Sequence, residues 1–194
     1  MTNKVAVFIS GRGSNLSSIL SSATIYNFSV CCVVSSRDDA PGLGFAKEKN
    51  IPFYIAQKGN DAEDKILFFL QKYKPDLVCL AGFMKILSAN FINALKCKII
   101  NIHPSLLPSF KGLNAQKQAL DSGVKIAGCT VHFVNEDVDS GAIIIQAAVP
   151  VLKNDTLQTL SQRILQAEHK CYPLAIDKVL NRSNLEDYLF LLNN

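Results

Sequence analysis

An α/β fold is the architecture this sequence predicts, with a mostly parallel twisted sheet of about seven strands, an antiparallel C-terminal strand pair and flanking helices. Three observations carry the prediction. Short apolar runs rich in β-branched residues alternate with stretches of helical periodicity, the pattern of right-handed βαβ units. A glycine turn, Gly11-Arg12-Gly13, separates the first such run from the first helical stretch. The last two runs are joined only by Asn135-Glu136-Asp137-Val138-Asp139-Ser140-Gly141, enough to reverse the chain but too little to hold a crossover helix, so they are antiparallel neighbours.

Val5-Ala6-Val7-Phe8-Ile9-Ser10 reads as the first strand, and a helical pattern begins at Leu16. Residues 28–35 form a second strand, followed by the loop Arg37-Asp38-Asp39-Ala40-Pro41-Gly42, a short helix to Asn50 and a third strand over 52–55. Over 61–73, Ile66, Leu67, Phe69, Leu70 and Tyr73 recur with helical spacing, and Pro75 stops that helix. Leu77-Val78-Cys79-Leu80-Ala81 is a fourth, central strand. Gly82-Phe83-Met84-Lys85-Ile86-Leu87 follows it directly and, being mostly apolar, is expected to bury; it reads either as core packing or as the lining of a flat aromatic ligand. Lys98-Ile99-Ile100 is a short fifth strand, after which Pro104 and Pro108 are expected to exclude helix and central strand over 101–108. A helix over 114–122 closes at Gly123, and strands follow over 126–134 and 143–149. The alternation makes the sheet Rossmann-like. Asn154-Asp155-Thr156 opens a last helix, with Asp155 and Gln158 at capping-box spacing and a buried stripe of Leu157, Leu160, Ile164, Ala167 and Cys171. Glu168 falls in or beside that stripe, where a carboxylate requires a partner or a ligand.

Composition bounds the class. At 194 residues the chain is long enough for one large core and has no linker-like stretch, so a single domain over 1–194 is expected. A 48% hydrophobic and 19% charged composition with mean hydropathy +0.18 describes a soluble globular protein. The apolar runs fall short of the ~20 residues of a membrane span. The run after Met1-Thr2-Asn3-Lys4 ends in a glycine turn instead of a cleavage site, so a cytoplasmic location is expected. Six cysteines without a CxxC pair and three unclustered histidines predict buried reduced thiols and no metal site. The net charge of +4 is unclustered and suits anionic small molecules at least as well as nucleic acid.

Two places carry candidate chemistry. In the turn after the first strand, a dinucleotide fingerprint would need glycine where Leu16 stands, and a P-loop would need a Gly-Lys-Ser/Thr ending. What remains is the physical core of both: glycines admit an anion closely, and helix N-terminal N–H groups point at it. Gly13, Ser14 and Asn15 therefore read as a phosphate site or as a plain tight turn with its cap. The second place is Asn101-Ile102-His103-Pro104-Ser105-Leu106-Leu107-Pro108, where a strand delivers an amide and an imidazole into a stiff loop at the carboxyl edge of the sheet. The acidic loop supplies Asp139 as the carboxylate expected to fix the His103 tautomer and favour its protonated form. Amide, imidazole and carboxylate together suit acyl transfer. Donation to a developing oxyanion by Asn101 is typically worth ~10² to 10³ in rate, and proton transfer by His103 ~10² to 10⁴. A histidine before proline also has a purely structural reading, and the residues alone leave both open.

The 101–108 motif, followed by Gly112, by Thr130-Val131-His132-Phe133-Val134 and by Asp137-Val138-Asp139-Ser140-Gly141, resembles the formyltransferase family that uses 10-formyltetrahydrofolate. Within it, Ser10-Gly11-Arg12-Gly13-Ser14-Asn15, Leu80-Ala81-Gly82-Phe83-Met84-Lys85-Ile86-Leu87 and Glu168-His169 are similar to members that formylate glycinamide ribonucleotide in purine synthesis. The resemblance implies a phosphate- and nucleotide-binding N-terminal part and a folate-binding, catalytic C-terminal part. Gly13, Ser14 and Asn15 would hold the ribonucleotide phosphate, and Glu168 its ribose or glycinamide end. Met84, Lys85, Ile86 and Leu87, with Asn101 and the loop residues Asn135, Glu136, Asp137, Val138 and Asp139, would line the folate site. Asn101 and protonated His103 would hold the tetrahedral oxyanion while Asp139, with a water, relays the amine proton. The implied co-substrate is 10-formyltetrahydrofolate, with no metal, no nucleic acid, no membrane, and a monomer or homodimer. An amino-sugar nucleotide acceptor and a non-catalytic nucleotide- or folate-binding role are the alternatives; relatives acting on tRNA or deformylating the folate carry an extra domain for which no room is expected. The chain departs from the family at two places: only Lys58 or Lys65 stands near Gly59, where an arginine toward the folate glutamate is usual, and Leu165 replaces a polar or basic residue before Glu168. The role of His132 is open between structural hydrogen bonding and ligand contact.

Overall fold

A computed structural model describes residues 2–57, 59, 61–181 and 189–191. The chain forms two compact units, Met1–Asn101 and Ile102–Asn194. The first contains β1 (Asn3–Ile9), α1 (Ser14–Ser22), β2 (Phe28–Ser35), α2 (Leu43–Glu48), β3 (Phe53–Ile55), α3 (Ala62–Tyr73), β4 (Leu77–Leu80), α4 (Ala89–Ala94) and most of β5 (Lys98–His103). Its strands run β3-β2-β1-β4-β5 and are all parallel. Val5 through Ile9 and all of β4 are buried. A parallel sheet covered on both faces needs apolar residues at every position, which is why these runs are continuous instead of alternating. On α3 only Ile66 and Leu70 are buried, while Phe68 is 78% exposed; Lys74 ends the helix in the left-handed conformation just before Pro75.

Three features of this unit differ from the sequence reading. Strand β5 continues through Asn101-Ile102-His103 up to Pro104. Proline biases the residue before it toward extended backbone, so Pro104 prolongs the strand it was expected to exclude. The segment after β4 does not bury: Leu87 is covered, but Met84 and Ile86 are 73% and 79% exposed. Its irregular backbone sends alternate side chains outward, and an apolar composition alone does not say which. Helix α4, capped by Ser88, whose hydroxyl accepts the Phe91 N–H at 3.1 Å, was not anticipated. Six residues with one buried side chain, Phe91, are too few to display a period.

The second unit contains α5 (Ala115–Asp121), β6 (Ile126–Phe133), β7 (Ile143–Pro150), α6 (Leu157–Asn181) and β8 (Leu189–Leu191). As expected, β6 and β7 are antiparallel; β8, which the sequence reading lacked, pairs parallel to β7. Gly128 permits the close approach of β6 and β7, because a Cβ there would lie 2.0 Å from the Ala147 carbonyl oxygen. Helix α6 buries Leu160, Ile164, Ala167, Glu168 and Cys171, confirming the stripe except at Leu157, which is 45% exposed in the first turn. The cap also differs. Thr156 and Thr159 exchange reciprocal bonds, Thr159 N–H to Thr156 Oγ1 at 3.2 Å and Thr156 N–H to Thr159 Oγ1 at 3.0 Å. Asp155 instead takes both arms of the Arg163 guanidinium, at 2.7 and 2.9 Å, and accepts the Leu152 N–H at 2.7 Å. All six cysteines are free thiols, with Cys31 and Cys97 only half-buried. Among the described residues no helix is long and apolar enough to cross a membrane.

Candidate active site

In the first unit, Phe8 pairs with Leu80 and Leu80 with Asn101, so Asn101 stands level with the ends of β1 and β4. The turn after β1, the segment after β4 and the Asn101 amide therefore emerge at one carboxyl edge. Gly13 adopts the left-handed conformation at φ 74°, and a Cβ there would lie 2.6 Å from the Gly42 Cα, so only glycine fits. Helix α1 starts at Gly13 with no side-chain cap. The N-terminus of such a helix is where backbone N–H groups and the helix dipole favour an anion. Ser14 is half-buried, Asn15 buried and Arg12 exposed. Beyond β4, the Lys85 ammonium donates to the Ala56 carbonyl at 3.0 Å. Lys65, one candidate for the folate tail, is instead paired with Asp61 at 2.8 Å on the exposed face of α3; Lys58 lies outside the described residues.

In the second unit, His103 and Asp139 come together. The His103 Nε2 lies 2.8 Å from the Phe110 carbonyl oxygen, which can only accept, so Nε2 carries a hydrogen. Its Nδ1 lies 3.3 Å from Asp139 Oδ2. Both ring nitrogens thus face oxygen atoms, which fixes the orientation of the imidazole. Asp139 is held from three sides: its carboxylate accepts the Gly112 N–H at 2.8 Å, and its other oxygen lies 3.6 Å from His132 Nε2. Burial pushes the Asp139 carboxyl up, but contact with His132, the Gly112 N–H and the charge of the two imidazoles outweigh it and hold the group below its ordinary value. The His132 Nδ1 lies 2.8 Å from the Phe133 carbonyl, which fixes that ring's orientation and gives this histidine a structural bond as well as a place beside Asp139.

The surroundings explain how these groups are held. Asp139 sits at φ 49°, a left-handed conformation that aspartate tolerates better than most residues. Ser140 Oγ closes the acidic loop onto Asn135 Oδ1 and the Asp137 carbonyl, both at 2.9 Å, leaving Asn135, Glu136, Asp137 and Val138 exposed. A Cβ at Gly141 would fall 1.7 Å from the Phe133 oxygen, so the hairpin closes only with glycine there. The loop after His103 is clamped from below. Thr130 Oγ1 accepts the Leu107 N–H at 3.0 Å and donates to the Ser105 carbonyl at 2.7 Å, while Gln146 Nε2 reaches Thr130 Oγ1 at 3.0 Å and the Leu107 carbonyl at 2.9 Å. Glu168 is buried on α6, with half-buried Leu165 one turn before it. Desolvation lowers the affinity of neighbouring His169 for its proton.

The sequence reading missed the Phe110 carbonyl, the Gly112 N–H and the clamp of Thr130 and Gln146. Gln146 had a visible signal, since it is the one polar side chain in the apolar run 143–149. The two backbone groups had none beyond Gly112 standing in the motif.

The sequence matches the family described as Formyl transferase over residues 3–176. The chain belongs to the formyl transferase family. It is 47% identical over 183 residues to the human trifunctional purine biosynthetic protein adenosine-3, covering 91% of this chain but 18% of that protein. It is 40% identical over 188 residues to the phosphoribosylglycinamide formyltransferase of Bacillus subtilis, covering 93% of this chain and 96% of that one. The crystal structure of phosphoribosylglycinamide formyltransferase from Anaplasma phagocytophilum matches with a TM-score of 0.94 and 42% identity over 100% of both chains. Among formyl transferases, then, the chain resembles both a free-standing enzyme of its own length and a segment spanning less than a fifth of a longer protein.

Proposed function

We propose that this formyl transferase moves the formyl group of 10-formyltetrahydrofolate to the primary amine of 5'-phosphoribosylglycinamide, giving formylglycinamide ribonucleotide and tetrahydrofolate in purine synthesis. The observation that carries the reading is the His103 ring bonded at Nε2 to the Phe110 carbonyl, with Nδ1 3.3 Å from the Asp139 carboxylate. A fixed imidazole beside a carboxylate suits stabilisation of a tetrahedral oxyanion and removal of a proton from the attacking amine. The relatives that carry this activity by name, matched along nearly their whole length, support the choice of acceptor.

In this reading the amine attacks the formyl carbon and the carbonyl oxygen becomes an oxyanion. Asn101 donates to it, and His103 does so through Nδ1, whose hydrogen is shared between the oxyanion and the Asp139 carboxylate 3.3 Å away. Asp139 takes the proton released by the amine, directly or through water. The intermediate collapses by breaking the bond to N10 of the folate, which takes up the proton relayed from Asp139 and leaves as tetrahydrofolate, so protons balance and no electrons change hands. Gly13, Ser14 and Asn15 hold the phosphate and Glu168 the ribose or glycinamide end. The exposed apolar side chains of Met84 and Ile86, with Lys85, Leu87 and residues 135–139, receive the folate. The chain acts as a cytoplasmic formyltransferase domain with small-molecule partners only, as monomer or homodimer.

The test is to incubate the protein with both substrates and follow tetrahydrofolate. Release that depends on the ribonucleotide is expected. Release in its absence would make the protein a deformylase, release driven by an amino-sugar nucleotide would replace the acceptor, and no release at all would sink the reading.

A further inference from the structure

Ser10, the residue joining β1 to the glycine turn, is buried, and no step of the reaction above uses it. Its Oγ accepts the Met84 N–H at 2.7 Å and shares a hydrogen with Ser36 Oγ at 2.6 Å. With two acceptor lone pairs and one hydrogen, the Ser10 hydroxyl can accept the Met84 N–H and still bond Ser36, either hydroxyl serving as donor. The chain on either side is fixed by the main-chain bonds Ala81 N–H to Phe8 O at 2.8 Å and Ser36 N–H to Ile9 O at 3.0 Å. Beyond it, the Gly42 N–H bonds to Gly11 O at 3.0 Å, where Gly13 and Gly42 are in direct backbone contact. One hydroxyl therefore ties the first residue before the phosphate turn to the backbone of the exposed apolar segment after β4. That segment has no helix or strand of its own, so its position depends on such anchors. At its far end Ser88 N–H is held by Glu63 Oε1 at 2.9 Å.

We propose that Ser10 is a positioning residue that couples the two substrate sites, so that filling the phosphate turn orders the Met84 backbone and tightens folate binding. The inference rests on the reading of 13–15 as the phosphate site and of 84–87 as the folate site. Motion of the turn shifts Ser10, and Ser10 moves the Met84 N–H that it holds in the folate segment. Linkage makes the coupling reciprocal: whatever factor phosphate lends to folate binding, folate lends to phosphate binding.

The test measures tetrahydrofolate binding by calorimetry with and without saturating ribose 5-phosphate. The wild-type protein is expected to bind tetrahydrofolate about fivefold or more tightly in its presence, the lower end of ordinary coupling. Ser10→Ala is expected to bring that ratio close to one while ribose 5-phosphate alone still binds, and Ser10→Thr, which keeps a hydroxyl, to retain the ratio. A merely structural serine would weaken both ligands together and leave the ratio unchanged. Should Ser10→Ala fail to fold, Ser36→Ala decides, because it removes the second bond while leaving Ser10 in place, and the ratio is then expected to fall partway. Wild-type protein that turns over both substrates but shows no synergy, or a Ser10→Ala protein with undiminished synergy, overturns the role of Ser10 alone. Absence of ribonucleotide-dependent turnover would instead remove the functional reading beneath it.

Discussion

Asp139 accepts from Gly112, faces two imidazoles and occupies a left-handed backbone position, so its substitution separates chemistry from scaffolding. Asp139→Asn keeps the shape and removes the charge; turnover is expected to fall by about 10² or more with ribonucleotide affinity largely retained, and His103→Ala by ~10² to 10⁴. Steady-state kinetics of both variants beside a direct binding measurement checks this, and full turnover in either removes that residue from its role. The depressed Asp139 carboxyl also predicts a pH dependence of stability. Folding weakens its hold on a proton relative to the unfolded value of about 3.9, so its contribution is present above that pH and is lost as the pH falls through the folded value. Thermal unfolding of wild type and Asp139→Asn should therefore differ most near neutral pH and converge below about pH 4; a gap that stays constant would contradict the assignment. At this scale the motif made His103 and Asp139 legible, whereas the approach of His132 to the same carboxylate was not. Alternation along β6 says which face a side chain takes but not what stands opposite.

Strand β6 and the loop beneath His103 are joined through Thr130, whose hydroxyl serves Leu107, Ser105 and Gln146 at once. Thr130→Val preserves the shape and strands those partners in a buried setting, a loss of about 1–3 kcal/mol. A lower melting temperature together with reduced turnover is expected, and an unchanged melting curve would show that the clamp is dispensable. Gly128→Ala is more severe, because the added methyl meets the Ala147 oxygen at 2.0 Å; a cost above about 4 kcal/mol, seen as loss of soluble folded protein, is expected. On α6, Thr156→Ala should cost about 1 kcal/mol, the usual worth of an N-cap, as read by denaturant unfolding. The sequence placed that cap one residue early, since Asp155 and Thr156 are both good caps, and Asp155 is taken up by Arg163, the Leu152 N–H and the Thr159 hydroxyl while Thr156 accepts the helix N–H. The long elements were legible because period and punctuation agreed. Helix α4 and strand β8 were not, being too short for either signal.

For the molecule as a whole, the parallel order β3-β2-β1-β4-β5 and the antiparallel β6–β7 pair follow from connection lengths that the sequence displays: helix-sized between parallel strands and seven residues within the hairpin. Family membership was equally legible, because the residues that carry it cluster in loops after strands where chemistry outweighs packing. What the sequence withheld were the contacts made by backbone groups and the exposure of Met84 and Ile86, which depend on how an irregular segment turns. In the proposed reaction one formyl group passes from folate to the ribonucleotide amine. Supplying 10-formyltetrahydrofolate labelled with ¹³C in the formyl group, together with 5'-phosphoribosylglycinamide, and following the label by mass spectrometry tests it most directly. The label is expected on the ribonucleotide in equal amount to the tetrahydrofolate released; label recovered as free formate, or left on the folate, would rule the transfer out.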